Sequence, residues 1–229
     1  MFFDEKVHTD VVIAFYRALQ ASLPEARVRP VFLKCVQQYG EERGRRMAMR
    51  ALRMGYELNF NAYQACGEWA STRPELSDSR AAEPIPGMSH TRNYHCLWCE
   101  QFRARDAADV GRIYCSEIDR SIVRGFNPDM HFELRGYAHD GDCCDFVFGP
   151  YDASVQLPRP EGGVKDFAFH CAHTYHSFRH TLQQCLADAQ PVTGAADQLL
   201  FQWHAADFHA AVQQFEYVDF TGIAPCNLQ

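Results

Sequence analysis

Between His90 and His209 this chain concentrates cysteines, histidines and acids in three groupings whose spacing could do chemistry. The first is Cys96-Leu97-Trp98-Cys99, followed sixteen residues later by Cys115. A structural zinc site normally takes a second such pair, and the adjacent Cys143-Cys144 do not supply it. A redox role needs the motif at a strand-to-helix junction. Two partly buried thiols at a helix start explain the motif as well as either. The second grouping is Cys115-x-x-x-Asp119 on an expected helix, with Asp142, Cys143, Cys144 and Asp145 at an expected hairpin. Positions four apart share a helical face. A thiolate attacks an electrophilic carbon, and a carboxylate holds a cationic group or shuttles a proton. On spacing alone, a buried thiol beside a surface acid is the better reading.

The third grouping lies on the last helices. His170-Cys171-x-His173-x-x-His176-x-x-x-His180 puts His173, His176 and His180 in a narrow arc, and His204-x-x-Asp207 with His209 follows. Imidazoles three or four apart can share one ion, and facing helices carrying such pairs build many bundle metal sites. The candidate ligands are His173, His176, His180, His204 and Asp207. A polar helix face carrying several histidines is about equally good. The cofactor expectation is therefore none, or one zinc, iron or copper ion.

The elements that must position these groups read as follows. Val11, Val12, Phe15 and Leu19 form one helical stripe, and Val31, Phe32, Cys35, Val36 and Tyr39 a second. A third helix is expected over 57–70, and Pro, Ser and charge make 71–87 a linker. Residues 88–97 are expected as a strand and 106–124 as one helix, stopped at Gly125-Phe126-Asn127-Pro128. Alternation over 130–138, the Asp140-Gly141-Asp142 turn and 144–148 predict a β-hairpin. Helices are expected at 165–189 and 194–215. The pattern predicts one α+β domain over 1–229: N-terminal helices, a small antiparallel sheet with a central hairpin, and a C-terminal helical pair. Within it, 1–70 is a helical arm, 71–87 a linker and 88–229 a catalytic half.

The Cys96-x-x-Cys99, Cys115-x-x-x-Asp119, Gly125-Phe126-Asn127-Pro128 and Gly141-Asp142-Cys143-Cys144-Asp145-Phe146 motifs together resemble the L-2-amino-thiazoline-4-carboxylic acid hydrolase family. The resemblance covers roughly residues 88–150. The same hairpin is more distantly similar to vinyl-reductase-type ligand-sensing domains. The first resemblance implies hydrolytic opening of a cyclic isothiourea-like ring, or related chemistry at non-peptide C–N or C–S bonds. Cys115, then Cys144, are the implied nucleophiles. Asp119 or Asp145 would hold the amidinium by charge-assisted hydrogen bonds, Arg92 or Arg135 would take the substrate carboxylate, and Asn127 joins the binding set. The histidine-rich helices are no part of this resemblance.

Bulk properties narrow the classes. The 229 residues carry a net charge of −7, with 47% hydrophobic and 22% charged residues, an ordinary globular composition. So acidic a chain gains little from phosphate neutralisation, so nucleic acid is not an expected partner. Arg43, Arg46, Arg50 and Arg53 recur at helical spacing, and a solvated face is a better reading of them than an anion-docking stripe. The N-terminus lacks the pattern of a signal peptide and no apolar run is long enough for a membrane span. A cytoplasmic location is expected, where ten cysteines mean metal binding, catalysis or burial rather than disulfides. Cys35, Cys66 and Cys185 are assigned to core packing.

Three functional readings follow. The leading one is an enzyme acting on a small sulfur- or nitrogen-containing molecule through cysteine and acid residues. The second is a metal-dependent enzyme centred on the C-terminal helices. The third is a non-catalytic sensor domain, with a structural zinc held by Cys96, Cys99 and Cys144. Small-molecule substrate is the expected partner, no membrane is expected, and homo-oligomerisation stays open.

Overall fold

A computed structural model describes residues 2–221. The fold is α+β: helices α1 (Glu5–Ser22), α2 (Glu25–Arg53) and α3 (Phe60–Ala65), strands β1 (Ser79–Ala81) and β2 (Ser89–Asn93), and helices α4 (Leu97–Ala104), α5 (Ala108–Cys115) and α6 (Ile118–Phe126). Strands β3 (His131–Gly136) and β4 (Cys144–Gly149) and helices α7 (Phe167–Cys185) and α8 (Gln190–Gln213) complete it. None of the described helices is long and apolar enough to cross a membrane. The described chain divides into two compact units that alternate along the sequence: 2–39, 97–117 and 166–218 in the first, 40–96, 118–165 and 219–221 in the second.

The first unit is helical. Asp4 caps α1 by accepting from the Lys6 and Val7 N–H groups, satisfying donors that a helix start leaves without partners. The expected α1 stripe is buried and packs with α4, α7 and α8. Aromatic edges lock it: Phe15 against Phe178 at 5.5 Å and Tyr16 against Phe32 at 4.8 Å. Asp166 caps α7 through the Phe169 N–H. Helix α8 is interrupted at Ala205, whose φ of +54° is a strained conformation for an L residue.

The second unit holds the sheet, antiparallel throughout in the order β1-β2-β4-β3. The predicted hairpin is β3–β4, with an irregularity between Leu134 and Gly136. One face is aromatic: Phe132, Phe146 and Phe148 lie together, and Phe60 of α3 stacks on Phe148 at 4.3 Å. The opposite face carries His90, Arg92 and Asp145. The C-terminal half of α2 meets α6 at glycine contacts. A Cβ on Gly44 would lie 2.1 Å from the Ile122 carbonyl oxygen, and one on Gly125 would lie 2.3 Å from that of Glu41. Only hydrogen fits at either position. This close approach brings Arg43 of α2 within electrostatic reach of Asp119 on α6.

Three expected elements differ. The helix over 106–124 is two helices, α5 ending at Cys115 and α6 starting at Ile118, with the Ser116 hydroxyl donating to the Ile113 carbonyl at 2.8 Å at the end of the first. Cys115 therefore ends α5 while Asp119 opens α6, and they do not share a helical face. The helix over 57–70 shrinks to α3, started by the Asn59 cap. The supposed linker 71–87 contains β1, which pairs with β2 through Ser79–Asn93 to Ala81–Thr91.

Candidate active site

Three arginines surround one buried acid in the second unit. Glu68 is fully buried, and Arg46 grips it with Nε at 3.1 Å from Oε1 and Nη2 at 2.8 Å from Oε2. Arg50 adds a contact of 2.6 Å to Oε1. Arg46 also bonds the Phe220 carbonyl. Burial alone would raise the Glu68 carboxyl, but the Arg46 charge and hydrogen bonds, with Arg43 and Arg50 behind, hold it well below the usual carboxylate range. The arginine stripe is thus no solvated face: Arg43 and Arg46 are buried. Their helical spacing aims them at an acid from another segment.

Arg43 differs from its neighbours. Its guanidinium lies 4.1 Å over the Trp69 ring, and its nearest approach to Glu68 is 3.9 Å, beyond hydrogen-bond range. Its buried Nε has no hydrogen-bond partner among the described residues. Arg43 is also one of the charges felt by Asp119 and by the Tyr63 hydroxyl.

Asp119 is crowded by protein yet keeps accessible surface. Burial pushes its carboxyl up to about 6, with Arg43 drawing it partly back. The same crowding raises the Tyr63 phenol, whose ring meets Phe126 edge-on at 5.4 Å. A carboxyl that changes charge near pH 6 can give and take protons at neutral pH.

On the polar face of the sheet, Asp145 accepts from Arg92 Nε at 2.8 Å and contacts His90 Nε2 at 2.8 Å. Burial would raise the Asp145 carboxyl, but these bonds outweigh it and hold it low. His90 also places Nδ1 2.8 Å from the Glu83 carbonyl, so both its ring nitrogens face acceptors. Arg92 further binds Glu83 through both Nη atoms, at 3.0 and 2.6 Å. This lattice is closed on itself and ties β2 to β4.

The remaining sequence candidates fall as follows. Cys144 begins β4 on the face opposite Asp145, because successive strand residues point to opposite sides; its buried sulfur accepts the Ala138 N–H at 3.4 Å. Cys115 is half-buried. Arg135 pairs with Glu133 at 2.8 Å on the surface. Asn127 donates to the Leu58 carbonyl at 2.8 Å and accepts from the Asp129 N–H at 3.0 Å, both ends serving the turn. Cys35 and Cys66 are buried, as core packing predicts, while Cys185 is half-buried.

The histidines of the first unit are not brought together. His173 is buried with its ring 4.6 Å from that of Tyr39, His176 Nε2 lies 3.0 Å from the Val212 carbonyl, and exposed His180 meets Gln184 at 2.8 Å. His173 and His180 share an angular position but stand seven residues, roughly 10 Å, apart along the axis. His204 lies 3.0 Å from Asp10, and the break at Ala205 separates it from Asp207. Among the described residues there is no group of three or more His, Cys, Asp or Glu side chains that could hold a metal ion.

Two sites escaped the sequence reading. Asp10 is buried and held low against its burial by His204, Arg105 and Gln101. His8, also fully buried, accepts from Trp98 Nε1 at 3.1 Å on Nδ1 and meets Thr174 and Tyr39 on Nε2 at 2.8 and 3.1 Å. Each takes partners from distant segments, a pairing that no local spacing reveals.

The family model of L-2-amino-thiazoline-4-carboxylic acid hydrolase matches residues 4–148, and the chain belongs to that family. The match reaches from α1 through β4 and so includes Arg43, Glu68 and Asp119, while the histidine-rich α7 and α8 lie outside it. No curated protein and no solved structure matches the chain.

Proposed function

We propose that this protein hydrolyses a small cyclic amidine of the 2-amino-thiazoline-carboxylate type, with Asp119 as its acid–base group. The observation that carries the reading is a crowded but accessible carboxyl with a pKa of about 6, lying within the family-matched segment. Above pH 6 the carboxylate takes a proton from water as the water oxygen bonds to the amidine carbon, which is electrophilic in its protonated form. The resulting tetrahedral centre collapses by breaking the ring C–N or C–S bond. Asp119 returns its proton to the departing atom, and one water has been consumed. Family membership supports the substrate class; the choice between the two ring bonds follows from the product.

Cys115 and Cys144 are the thiol candidates. Cys115 stands first because it keeps accessible surface, whereas Cys144 is buried. Loss of turnover in Cys115→Ala is the expected sign of a thiol step. The primary test incubates the protein with 2-amino-2-thiazoline-4-carboxylate and follows the ring-opened product, one water heavier, by mass spectrometry. Product formation that disappears in Asp119→Asn supports the reading. Equal product formation by Asp119→Asn removes Asp119 from the chemistry.

A further inference from the structure

A buried guanidinium ordinarily has its donors satisfied, because an unbonded buried charge is costly. Arg46 follows that rule at Glu68, and Arg50 meets it through Nη2 although its buried Nε is left without a partner. Arg43 does not. It sits 8% exposed, with Nε unsatisfied, no hydrogen bond to any described residue, and its plane held by the Trp69 ring. Glu68 has no need of it, since Arg46 and Arg50 already engage both carboxylate oxygens. Asp119 is the complementary case: an acid within electrostatic reach of Arg43, with no ion pair or hydrogen bond of its own among the described residues. A cation and an acid within each other's field, both without hydrogen bonds, can each take a group of opposite charge from a ligand.

We infer that Arg43 binds the carboxylate of the substrate, so that Arg43 and Asp119 together receive a small zwitterion, carboxylate on the guanidinium and amidinium on the aspartate. This rests on the hydrolase reading for the identity of the zwitterion, but not for the two-pole arrangement. The fork of a guanidinium matches a carboxylate in two parallel hydrogen bonds. Trp69 beneath and Glu68 beside it hold that fork in place before the ligand arrives. The two arginines proposed from sequence are already engaged, Arg92 with Glu83 and Asp145, Arg135 with Glu133. A rigid ring bearing both charges would be selected over a molecule bearing only one. Trp69 and Glu68 are positioning residues in this arrangement.

The test compares three probes on the intact chain: 2-amino-2-thiazoline-4-carboxylate, its 4-carboxamide, and the unsubstituted ring. Dissociation constants are read from the rapid change in tryptophan fluorescence on mixing, before turnover. The unaltered protein is expected to bind the carboxylate roughly 10- to 100-fold more tightly than either other probe, the scale of a charge-assisted hydrogen-bond pair. Arg43→Gln is expected to remove that preference while leaving the affinity for the unsubstituted ring unchanged. Equal affinity of the unaltered protein for carboxylate and carboxamide overturns the assignment, and needs no variant to fold. So does a preference that survives in Arg43→Gln, or failure of the unaltered protein to bind any of the three. Preferential binding without hydrolysis sinks the hydrolase reading and leaves the two-pole site standing.

Discussion

Each unit buries an acid against arginine, and the two solve the problem differently. In the first, Asp10 is closed: Arg105 binds both oxygens at 2.9 and 2.6 Å, Gln101 adds 2.6 Å, and His204 lies at 3.0 Å. In the second, Glu68 is equally closed, but Arg43 beside it, and Asp119 within the electrostatic reach of Arg43, are left without hydrogen bonds among the described residues. A buried acid whose two oxygens are both bonded specifies architecture, since its acceptors are consumed by the fold. Charges held near each other and unbonded cost stability, and are retained where a ligand completes them.

Substitutions can break or sharpen this contrast. The largest effect is expected at Glu68: Glu68→Gln leaves buried guanidinium groups without their counter-charge and should cost about 3–5 kcal/mol, read as a lower urea midpoint. Next, the closed and open arginines should part. Arg105→Ala strips buried Asp10 of its two-point partner and should cost about 2–3 kcal/mol. Arg43→Gln gives up the stack on Trp69 and a 3.9 Å ion pair with Glu68 that makes no hydrogen bond, together about 1–2 kcal/mol. Equal losses for the two would erase the distinction between architecture and site.

A smaller effect, opposite in sign, is expected at Asp119. Its folded pKa of about 6 stands above the ordinary 3.8, so the native state holds the proton more tightly than the unfolded chain. The stability this contributes is complete below pH 4 and is lost as pH rises through 6. At pH 8 an ionised Asp119 is a liability, and Asp119→Asn should raise stability by about 1–3 kcal/mol, the scale of such a shift, while losing turnover. Below pH 4 the variant and the unaltered protein should unfold alike. A destabilised Asp119→Asn at pH 8 would mean that the carboxylate has a structural partner.

How much of this was legible in the sequence depended on how local each signal was. The β3–β4 hairpin announced itself through alternation either side of Asp140-Gly141-Asp142, and the α1 and α2 stripes through helical periodicity. The break between α5 and α6 was hidden because Cys115-Ser116-Glu117 contains neither glycine nor proline. Asp119 came forward through its spacing from Cys115 and through the family resemblance, although the two residues stand on different helices. Arg43 was visible only as one of a regular row. Its distinction depends on Glu68 and Trp69, more than twenty residues on, and on Asp119 from α6. The histidines illustrate the opposite error: a regular row on α7 suggested a common ligand, yet each ring is taken up by a neighbour of its own.

The central claim is that Asp119 performs the proton transfers of ring hydrolysis. The most direct measurement is the pH dependence of kcat/KM for 2-amino-2-thiazoline-4-carboxylate, in the unaltered protein and in Asp119→Asn. The account predicts activity that rises through an apparent pKa near 6 and falls at least roughly 100-fold, losing that limb, in the variant. A limb near 6 that persists in Asp119→Asn, at comparable activity, would contradict it.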